Sequence, residues 1–399
     1  MERRLVLRRT RQNRNSLAFL AAGLAQAGAL EGWRLSFADS DDELRPEDEA
    51  VGFSFMTMDL PAIARELPRA RRRAPRALFL AGGPHASADP EGTLALGFDV
   101  VFVGEGERSL GGWLLDWDRR RAGETEVVQP QRHDLDGSLH VDPGRGLFPF
   151  AEISRGCPHA CAFCQVPVLF GRRMRHRPAP VVARGIAAAA RAGYRRFRFL
   201  TPDAFTYRSQ GQRVADSLCD LVDRCRKAGA SEVMLGTFPS EVRPDRVSHE
   251  LLSVLDERCT NRSLVLGAQS GSDRVLSLMN RGHGVEENRQ AVAWTREHGL
   301  LPHVDLLFGF PGETAEERDE TLRFARWCLE RCGARLHAHV FLPLPGTPVW
   351  PLPPEPLEAS LVEELARLQR AGVLDGDWSR QACQGRDILR YREQGLIRA

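Results

Sequence analysis

In the first third of the chain, short apolar runs of strand length alternate with longer Ala/Leu-rich or amphipathic segments typical of helices. The predicted strands cover residues 4–9, 33–38, 50–57, 77–83 and 99–107, and the predicted helices cover residues 16–28 and 60–74. Strands that alternate with helices indicate a parallel sheet with helices on both faces. We therefore predict an α/β fold in which residues 1–118 form a doubly wound, Rossmann-like domain.

The pattern weakens in residues 119–148, which are polar and rich in Gly, Pro and Asp. This segment is typical of a linker, with a small hairpin predicted at residues 135–141.

From residue 149 the alternation of strands and helices starts again. The predicted strands of this part cover residues 150–154, 196–201, 232–238, 263–269, 303–310 and 336–342. Six β/α units predict a partial (β/α)6 barrel of the TIM type over residues 149–348, with its active site at the carboxyl ends of the strands. Residues 349–399 are predicted to form a C-terminal helical extension with one helix at residues 359–372.

Composition and charge narrow the function classes. The 399 residues are 42% hydrophobic and 27% charged, with a net charge of +2. Such a balance gives no electrostatic case for a nucleic-acid or membrane partner. The chain has no run of about 18 apolar residues that could span a bilayer, and its basic N-terminus lacks the apolar core of a signal peptide. The expected compartment is the cytoplasm.

Three of the nine cysteines stand close together after the first predicted barrel strand, as Cys157-x3-Cys161-x2-Cys164. A structural zinc site usually has four ligands, so a zinc interpretation requires His159 or His176 as well. A fully ligated [4Fe–4S] cluster also uses four thiolates. Three thiolates leave one iron open, which is typical of catalytic metal centres. The other six cysteines are scattered and are interpreted as packing residues.

This motif, "RGCPHACAFC", resembles that of the radical S-adenosylmethionine (SAM) enzymes. The resemblance implies a [4Fe–4S] cluster whose open iron is chelated by SAM, and Phe163 near the adenine. It also implies SAM contacts at the ends of later strands, although the usual glycine pair after the second strand is replaced here by Thr201, Pro202 and Asp203. The implied SAM contacts are Phe163, Pro202, Asp203, Ser240, Glu241, Arg243, Gln269, Ser270, Arg281 and Asp305.

The first domain resembles the cobalamin-binding domains that precede the barrel in part of this superfamily, above all over residues 75–110. The implied cobalamin contacts are Ser54, Thr57, Gly82, Gly83, His85, Gly104, Glu105 and Gly106. Many cobalamin proteins carry an Asp-x-His-x-x-Gly loop after the first strand, and this chain has Asn13 and Asn15 there but no histidine. The lower face of the corrin is therefore expected to lack a histidine ligand.

The resemblance implies a cobalamin-dependent radical SAM enzyme, with methyl transfer to an unactivated carbon or phosphorus as the leading reaction. The alternatives are a rearrangement or cyclisation without methylation, an RNA methylthiotransferase, and a non-catalytic sensor. The expected partners are a small-molecule or peptide substrate and a reductant such as flavodoxin or ferredoxin. His337 and His339 alternate on the sixth predicted strand and are expected to face the barrel interior.

Overall fold

The computed structural model describes residues 2–121, 125–208 and 213–399. Its first domain is a six-stranded parallel sheet in the order β2-β1-β3-β4-β5-β6. The strands are β1 (Arg3–Arg8), β2 (Trp33–Ala38), β3 (Ala50–Ser54), β4 (Leu78–Gly82), β5 (Val100–Phe102) and β6 (Glu126–Val128). The helices are α1 (Arg14–Gln26), α2 (Leu60–Arg73), α3 (Gly83–Ala88), α4 (Pro90–Ala95), α5 (Gly106–Leu115) and α6 (Trp117–Arg120). The strand order reverses between β1 and β3, so the predicted doubly wound fold is confirmed, and ligands of such sheets bind at that edge.

Two apolar cores lie on opposite faces of this sheet. Leu5 and Leu7 pack on the face covered by α1 and α5, whereas Val6 between them packs on the opposite face with Phe53 and Phe79. This division follows from the alternation of side chains along a strand. Both faces of the sheet are buried, which is why its strands are almost continuously apolar.

The segment predicted as a linker differs from expectation. Strand β6 lies within residues 119–148 and pairs with β5, so it extends the first sheet by one edge strand. The expected hairpin at 135–141 is a turn without paired strands, followed by a single bridge between Asp142 and Leu147. A three-residue strand is too short to give a periodic signal in the sequence.

The second domain is an open parallel barrel. Its strands are β7 (Ala151–Glu152), β10 (Arg196–Leu200), β11 (Glu232–Met234), β12 (Ser263–Gln269), β13 (Leu301–Phe308), β14 (Arg335–Val340) and β15 (Leu374–Asp375). A bridge between Val242 and Leu266 joins the β11-β10-β7 half to the β12-β13-β14-β15 half. The six predicted strands are thus present, and the seventh, β15, was not predicted.

Helices cover the outside of the barrel and bury one large apolar core. They are α8 (Ala179–Arg191), α9 (Val214–Lys227), α10 (His249–Arg258), α11 (Asp273–Leu278), α12 (Val285–Glu297) and α13 (Ala315–Cys332). Between β7 and α8 lies a short antiparallel pair, β8 (Ser154–Arg155) and β9 (Arg175–His176), whose connection contains α7 (Val166–Phe170).

The C-terminal part contains two helices, α14 (Ala359–Arg370) and α15 (Trp378–Glu393), where one was predicted. Helix α15 packs against β14. Ile388 and Ile397 then enter the core of the first domain, and the backbone N–H of Arg398 donates to Asp89 at 2.9 Å. Across the described ranges, no helix is both long and apolar enough to cross a membrane.

Candidate functional site

The three-cysteine loop starts directly after β8, at the carboxyl end of the first barrel strand. Gly156 begins it with a φ of 81°, and an added Cβ would lie 2.3 Å from the carbonyl oxygen of Arg173. The backbone N–H of Cys157 donates to Gly171 at 3.2 Å, and that of Cys164 donates to Cys161 at 3.0 Å. Only glycine fits the tight passage between the two strands, and the loop that follows is folded by its own backbone hydrogen bonds.

A second turn holds the loop from the barrel side. Asn280 has a φ of 54°, and its Nδ2 donates to the carbonyl oxygen of Ala160 at 2.9 Å. The N–H of Ala162 donates to the carbonyl oxygen of Met279 at 2.9 Å. The segment after α11 therefore fixes the middle of the cysteine loop, a role that the sequence analysis did not assign to it.

Positive charge surrounds the sulfur of the middle cysteine. Arg281 Nη1 lies 3.2 Å from Cys161 Sγ, and Arg243 Nη1 lies 3.9 Å from it. Arg243 also donates to the carbonyl oxygen of Arg281, to Asp245 at 3.0 Å and to His283 at 3.3 Å. The predicted residues Arg243 and Arg281, which follow β11 and α11, thus converge on the sulfur of one cysteine.

The three thiols form no disulfide. Burial raises the pKa of Cys157, and it raises the pKa of Cys164 to about 11. The backbone N–H of Val166 opposes this for Cys164, because it donates to the sulfur at 3.4 Å. A metal must therefore displace protons from at least these two thiols, as cysteine ligation generally requires.

The barrel interior above the loop contains an acidic pair. Asp305 on β13 is 5% exposed and hydrogen-bonded to Glu241. Burial and the neighbouring Glu241 carboxylate raise the pKa of Asp305 well above its usual range. A raised pKa favours the protonated form of Asp305, whose O–H can donate a hydrogen bond.

Gly267 on β12 leaves space beside this pair. A Cβ at Gly267 would lie 2.9 Å from Glu241 Oε2, 3.2 Å from Gln269 Nε2 and 3.3 Å from Arg281 Nη2. Gln269 itself ends the strand with a φ of 69°, next to a register shift. The predicted residues Glu241, Gln269, Arg281 and Asp305 are thus brought together around a backbone position without a side chain.

Of the five remaining predicted SAM residues, three lie in the cysteine loop or in the segment after β10, and two are serines with hydrogen bonds inside the protein. Phe163 packs against the apolar cluster that contains Met279 and Phe310, and the buried Asp203 has its Oδ2 3.6 Å from His159 Nε2 in the cysteine loop. Pro202 precedes Asp203 and is partly buried.

The hydroxyl groups of Ser240 and Ser270 are hydrogen-bonded to other residues of the barrel. The hydroxyl of Ser240 donates to Phe199 and accepts from the N–H of Thr201, both at 2.9 Å. Ser270 contacts Thr321 of α13 at 3.1 Å. Both hydroxyls are fully buried and bonded within the protein, so the structure gives them a role in holding loops.

In the first domain, glycines at the carboxyl edge of the sheet would allow a ligand to come close to the backbone. Gly82 and Gly83 lie between β4 and α3, and a Cβ on Gly83 would lie 2.7 Å from Ser54 Oγ. Gly104 after β5 has a φ of 72°. Gly106 begins α5. Ser54, Gly82, Gly83, Gly104 and Gly106 are all partly exposed at this edge.

Three predicted cobalamin residues are instead buried with protein partners. His85 is fully buried, and its Nδ1 lies 3.1 Å from the hydroxyl of Thr57. Burial lowers the pKa of His85 to about 4, so the ring is neutral at pH 7. Glu105 is 4% exposed and forms ion pairs with Arg155 at 3.0 Å and with Arg175. Asn13, in the loop after β1, links the carbonyl oxygens of Arg8 and Ser54 at 3.0 Å each.

Ion pairs of Arg155, which the sequence did not predict, join the two domains. Besides Glu105, this buried arginine contacts Glu107 and binds Glu152 at 2.6 Å. Burial alone would raise the pKa of Glu107, but the neighbouring Arg155 outweighs that cost and holds the pKa at about 2. The charge-rich network stands two residues before Cys157 and fixes the start of the cysteine loop on the first domain.

A helix–helix contact brings the two candidate sites together. Helix α7, which follows Cys164, packs against α3, which begins at Gly83. A Cβ on Gly104 would lie 3.1 Å from the carbonyl oxygen of Leu169 in α7. The glycine-rich sheet edge and the cysteine loop therefore face a common region.

Fold and site together define an α/β protein with a doubly wound domain and an open barrel that carries a three-thiol metal loop. The family model of the radical SAM superfamily matches residues 151–325, and that of the B12 binding domain matches residues 41–112. The chain belongs to the radical SAM superfamily, in the group whose barrel follows a B12-binding domain. The predicted cofactors, a [4Fe–4S] cluster, SAM and cobalamin, are confirmed at the level of these two domains.

Solved structures show the same arrangement of domains. The radical SAM methyltransferase TsrM from Kitasatospora setae, with cobalamin and a [4Fe–4S] cluster bound, superimposes with a TM-score of 0.66 at 17% identity, over 94% of this chain and 80% of that one. The cobalamin-dependent SAM radical enzyme OxsB, with aqua-cobalamin and SAM bound, gives a TM-score of 0.61 at 14% identity, over 81% of this chain and 52% of that one.

Curated relatives are similar over part of their length. An uncharacterized protein of Methanopyrus kandleri is 25% identical over 363 residues, which is 77% of this chain and 68% of the relative. A tRNA-2-methylthio-N(6)-dimethylallyladenosine synthase of Actinobacillus pleuropneumoniae is 30% identical over 259 residues, which is 63% of this chain. The aligned part is about half of that synthase, 52% of its length.

Proposed function

We propose that this protein is a cobalamin-dependent radical SAM methyltransferase that acts on an unactivated carbon, or a phosphorus centre, of a small molecule or peptide. The observation that carries the proposal is the packing of α7 on α3. It sets the cysteine loop beside the glycine-rich edge of the first domain, so that two cofactors can serve one substrate. The name of the structural neighbour TsrM, a radical SAM methyltransferase, supports methyl transfer.

The donor set fits a cluster with one open iron. Cys157, Cys161 and Cys164 offer three thiols on one loop, and the guanidinium of Arg281 contacts the middle sulfur. When bound, the cluster supplies an electron for SAM cleavage and cobalamin supplies a carrier for a methyl group. Arg281 and Arg243 keep positive charge next to the thiolate sulfur, which offsets the negative charge that reduction adds.

The barrel interior provides the site for SAM. The bare backbone at Gly267 leaves room between Glu241, Gln269 and Arg281. The raised pKa of Asp305 favours its protonated form, which can donate a hydrogen bond as well as accept one. Phe163 and the apolar cluster around it keep water from the cluster side of the barrel.

The edge of the first domain provides the site for the corrin ring, along Ser54, Gly82, Gly83 and Gly104. We expect no histidine ligand below the metal from this edge. His85 is covered and its ring is bonded to Thr57. A weakly ligated lower face favours release of a methyl group. A reductant such as flavodoxin or ferredoxin would supply the electrons.

The proposal is tested with protein reconstituted anaerobically with iron, sulfide and hydroxocobalamin. We expect one [4Fe–4S] cluster and one corrin per chain, and SAM converted to S-adenosylhomocysteine when a reductant and methyl acceptors are supplied. The control is Cys157→Ala/Cys161→Ala/Cys164→Ala, which should lose the cluster and SAM turnover. Absence of corrin absorbance after gel filtration would reject the cobalamin part. Formation of 5′-deoxyadenosine without S-adenosylhomocysteine would favour rearrangement or cyclisation over methylation.

One alternative has its own support, the identity of 30% to a tRNA methylthio synthase. Methylthiotransferases use a second cluster on a second cysteine trio, and this sequence has no cysteine before Cys157. Iron analysis separates the two functions. About four irons per chain agree with the methyltransferase, and about eight, together with methylthiolated tRNA, would establish the alternative.

A further inference from the structure

Three neighbouring strands at the far end of the barrel carry metal-ligand side chains on one face. Parallel pairing places Asp305 opposite His337, and His337 opposite Asp375. His303 lies two residues before Asp305 on β13, so it shares the face of Asp305 because side chains alternate along a strand. His303, His337 and Asp375 thus project from β13, β14 and β15 into the same side of the sheet.

The three side chains meet. His337 Nδ1 is hydrogen-bonded to Asp375 Oδ1, and His303 Nε2 lies 3.5 Å from the same oxygen. One ligand atom from each of the three residues lies within 4.8 Å of the others. The buried Nε2 of His303 has no hydrogen-bond partner among the described residues. A buried ring nitrogen directed at a carboxylate without a hydrogen bond to it is suited to a shared cation.

This cluster is separate from the cysteine loop. His303 is the third residue of β13 and His337 the third residue of β14, so both lie near the amino ends of their strands. The cysteine loop follows the carboxyl end of the first barrel strand. Neither His303 nor Asp375 has a part in the SAM or cobalamin sites described above.

We propose that His303, His337 and Asp375 bind one Zn²⁺ ion, with water as the fourth ligand. Two imidazoles and a carboxylate with one open position form a donor set that zinc takes in proteins. The side chains of His303, His337 and Asp375 are 26%, 29% and 48% exposed, which leaves access for the ion and the water. The nearby cation Arg335 is turned to the carbonyl oxygen of Gly372, to which it donates at 2.8 Å.

The ion would fasten the C-terminal segment to the barrel. Strand β15 has two residues and pairs with β14 only through Leu374 and Asp375. Helix α15 begins three residues after Asp375, and its Gln381 accepts from the N–H of Val340 at 2.9 Å. A metal bond at Asp375 adds a side-chain link where the backbone ladder is shortest.

The site is tested in the Cys157→Ala/Cys161→Ala/Cys164→Ala background, so that cluster thiols do not compete for zinc. The protein is stripped with EDTA, titrated with ZnCl₂ by calorimetry, and analysed for bound zinc after gel filtration. We expect one Zn²⁺ per chain. His303→Gln and His337→Gln should each weaken binding by roughly 100-fold or more. The matched control His298→Gln, which removes one ring of the exposed His249–His298 pair, should leave the affinity unchanged.

Two results of the titration would overturn the inference: no zinc retained by the triple-alanine protein, or zinc affinity unchanged in His337→Gln. Circular dichroism of each variant shows whether it is folded. A second measurement is zinc-edge X-ray absorption of the triple-alanine protein with its histidines intact. It does not depend on the histidine variants. Nitrogen and oxygen neighbours with two imidazoles support the site, and a sulfur neighbour would place the ion on one of the remaining cysteines and reject it.

Discussion

The Nη1 atom of Arg281 lies 3.2 Å from the sulfur of Cys161, so a cation from the segment after α11 contacts a candidate cluster ligand. Removing this charge should make reduction of the cluster harder. For Arg281→Ala we expect a reduction potential lower by about 60 mV, the one-electron equivalent of about 1.4 kcal/mol. Potentiometric titration followed by electron paramagnetic resonance measures it. Arg274→Ala, which removes an arginine paired with Glu317, is the control and should not shift the potential. An unchanged reduction potential in Arg281→Ala would contradict the assignment of Cys161 as a cluster ligand next to this arginine.

Gly267 gives a test of the SAM site that spares the cluster. In Gly267→Ala the new methyl group would crowd Glu241 Oε2 at 2.9 Å and Gln269 Nε2 at 3.2 Å, both ends of side chains that can move. We expect SAM affinity, measured by calorimetry on reconstituted protein, to fall about tenfold, or about 1.4 kcal/mol, with iron content unchanged. Gly112→Ala on α5, where a Cβ would meet nothing within 4 Å, should bind SAM normally. Equal affinities for the two variants would place SAM elsewhere.

Gly156 tests the entrance to the cysteine loop. Gly156→Ala combines a positive φ with a collision at 2.3 Å with a backbone oxygen, whereas Gly193→Ala has a positive φ and nothing within 4 Å. Strain in φ alone costs about 1–2 kcal/mol, and overpacking adds about 1–3 kcal/mol. We expect Gly156→Ala to be the less stable variant in thermal unfolding and to lose iron on reconstitution. If both variants keep the cluster equally well, the tight passage is not required.

Arg155 tests the junction of the two domains. Arg155→Met leaves Glu107 buried without its cation and takes one of two arginine partners from Glu105 and from Glu152, and breaking such a buried pair costs about 3–5 kcal/mol. Urea unfolding in the Cys157→Ala/Cys161→Ala/Cys164→Ala background measures the loss. Arg196→Ala breaks an exposed pair with Glu232 and should cost no more than about 1 kcal/mol. A comparable small loss for Arg155→Met would show that the network does not hold the domains.

Burial of His85 should make the stability of the fold sensitive to acid. Its pKa of about 4 in the folded chain lies below the ordinary value of 6.5, so the unfolded chain binds the proton more readily. The contribution of neutral His85 to the free energy of unfolding should therefore be fully present above pH 6.5 and decline as the pH falls toward 4. Between pH 7 and pH 5 this one group accounts for about 2 kcal/mol of lost unfolding free energy. His85→Gln should remove that portion, measured by urea unfolding in the Cys157→Ala/Cys161→Ala/Cys164→Ala background at the two pH values. An unchanged pH slope would contradict the shift.

The strands and the cysteine loop could be predicted because their signals are local, whereas the order of the strands in the sheet depends on pairing. Cys157, Cys161 and Cys164 lie within eight residues, and strands such as Ala50–Ser54 are continuous apolar runs. β15 escaped prediction because two residues carry no periodicity, and its place depends on pairing with β14.

Side-chain roles were harder to predict, because they depend on partners far away in sequence. Glu105 stands in a glycine-rich turn typical of ligand binding, yet its carboxylate pairs with Arg155, 50 residues later. Ser240 follows a strand end, a position typical of ligand contacts, but its hydroxyl donates to the carbonyl oxygen of Phe199. In both residues the nearest partner decides the role, and sequence position alone does not identify that partner.

The seating of Ile388 and Ile397 in the core of the first domain has a consequence for synthesis on the ribosome. The strands of that domain precede the barrel in the sequence, but these two core side chains follow the barrel and are translated after it. While the barrel is being made, the apolar surface that receives them faces water. The core of the first domain is therefore completed only after residues 388–397 have been translated, and chaperones that cover apolar surface would act during this interval.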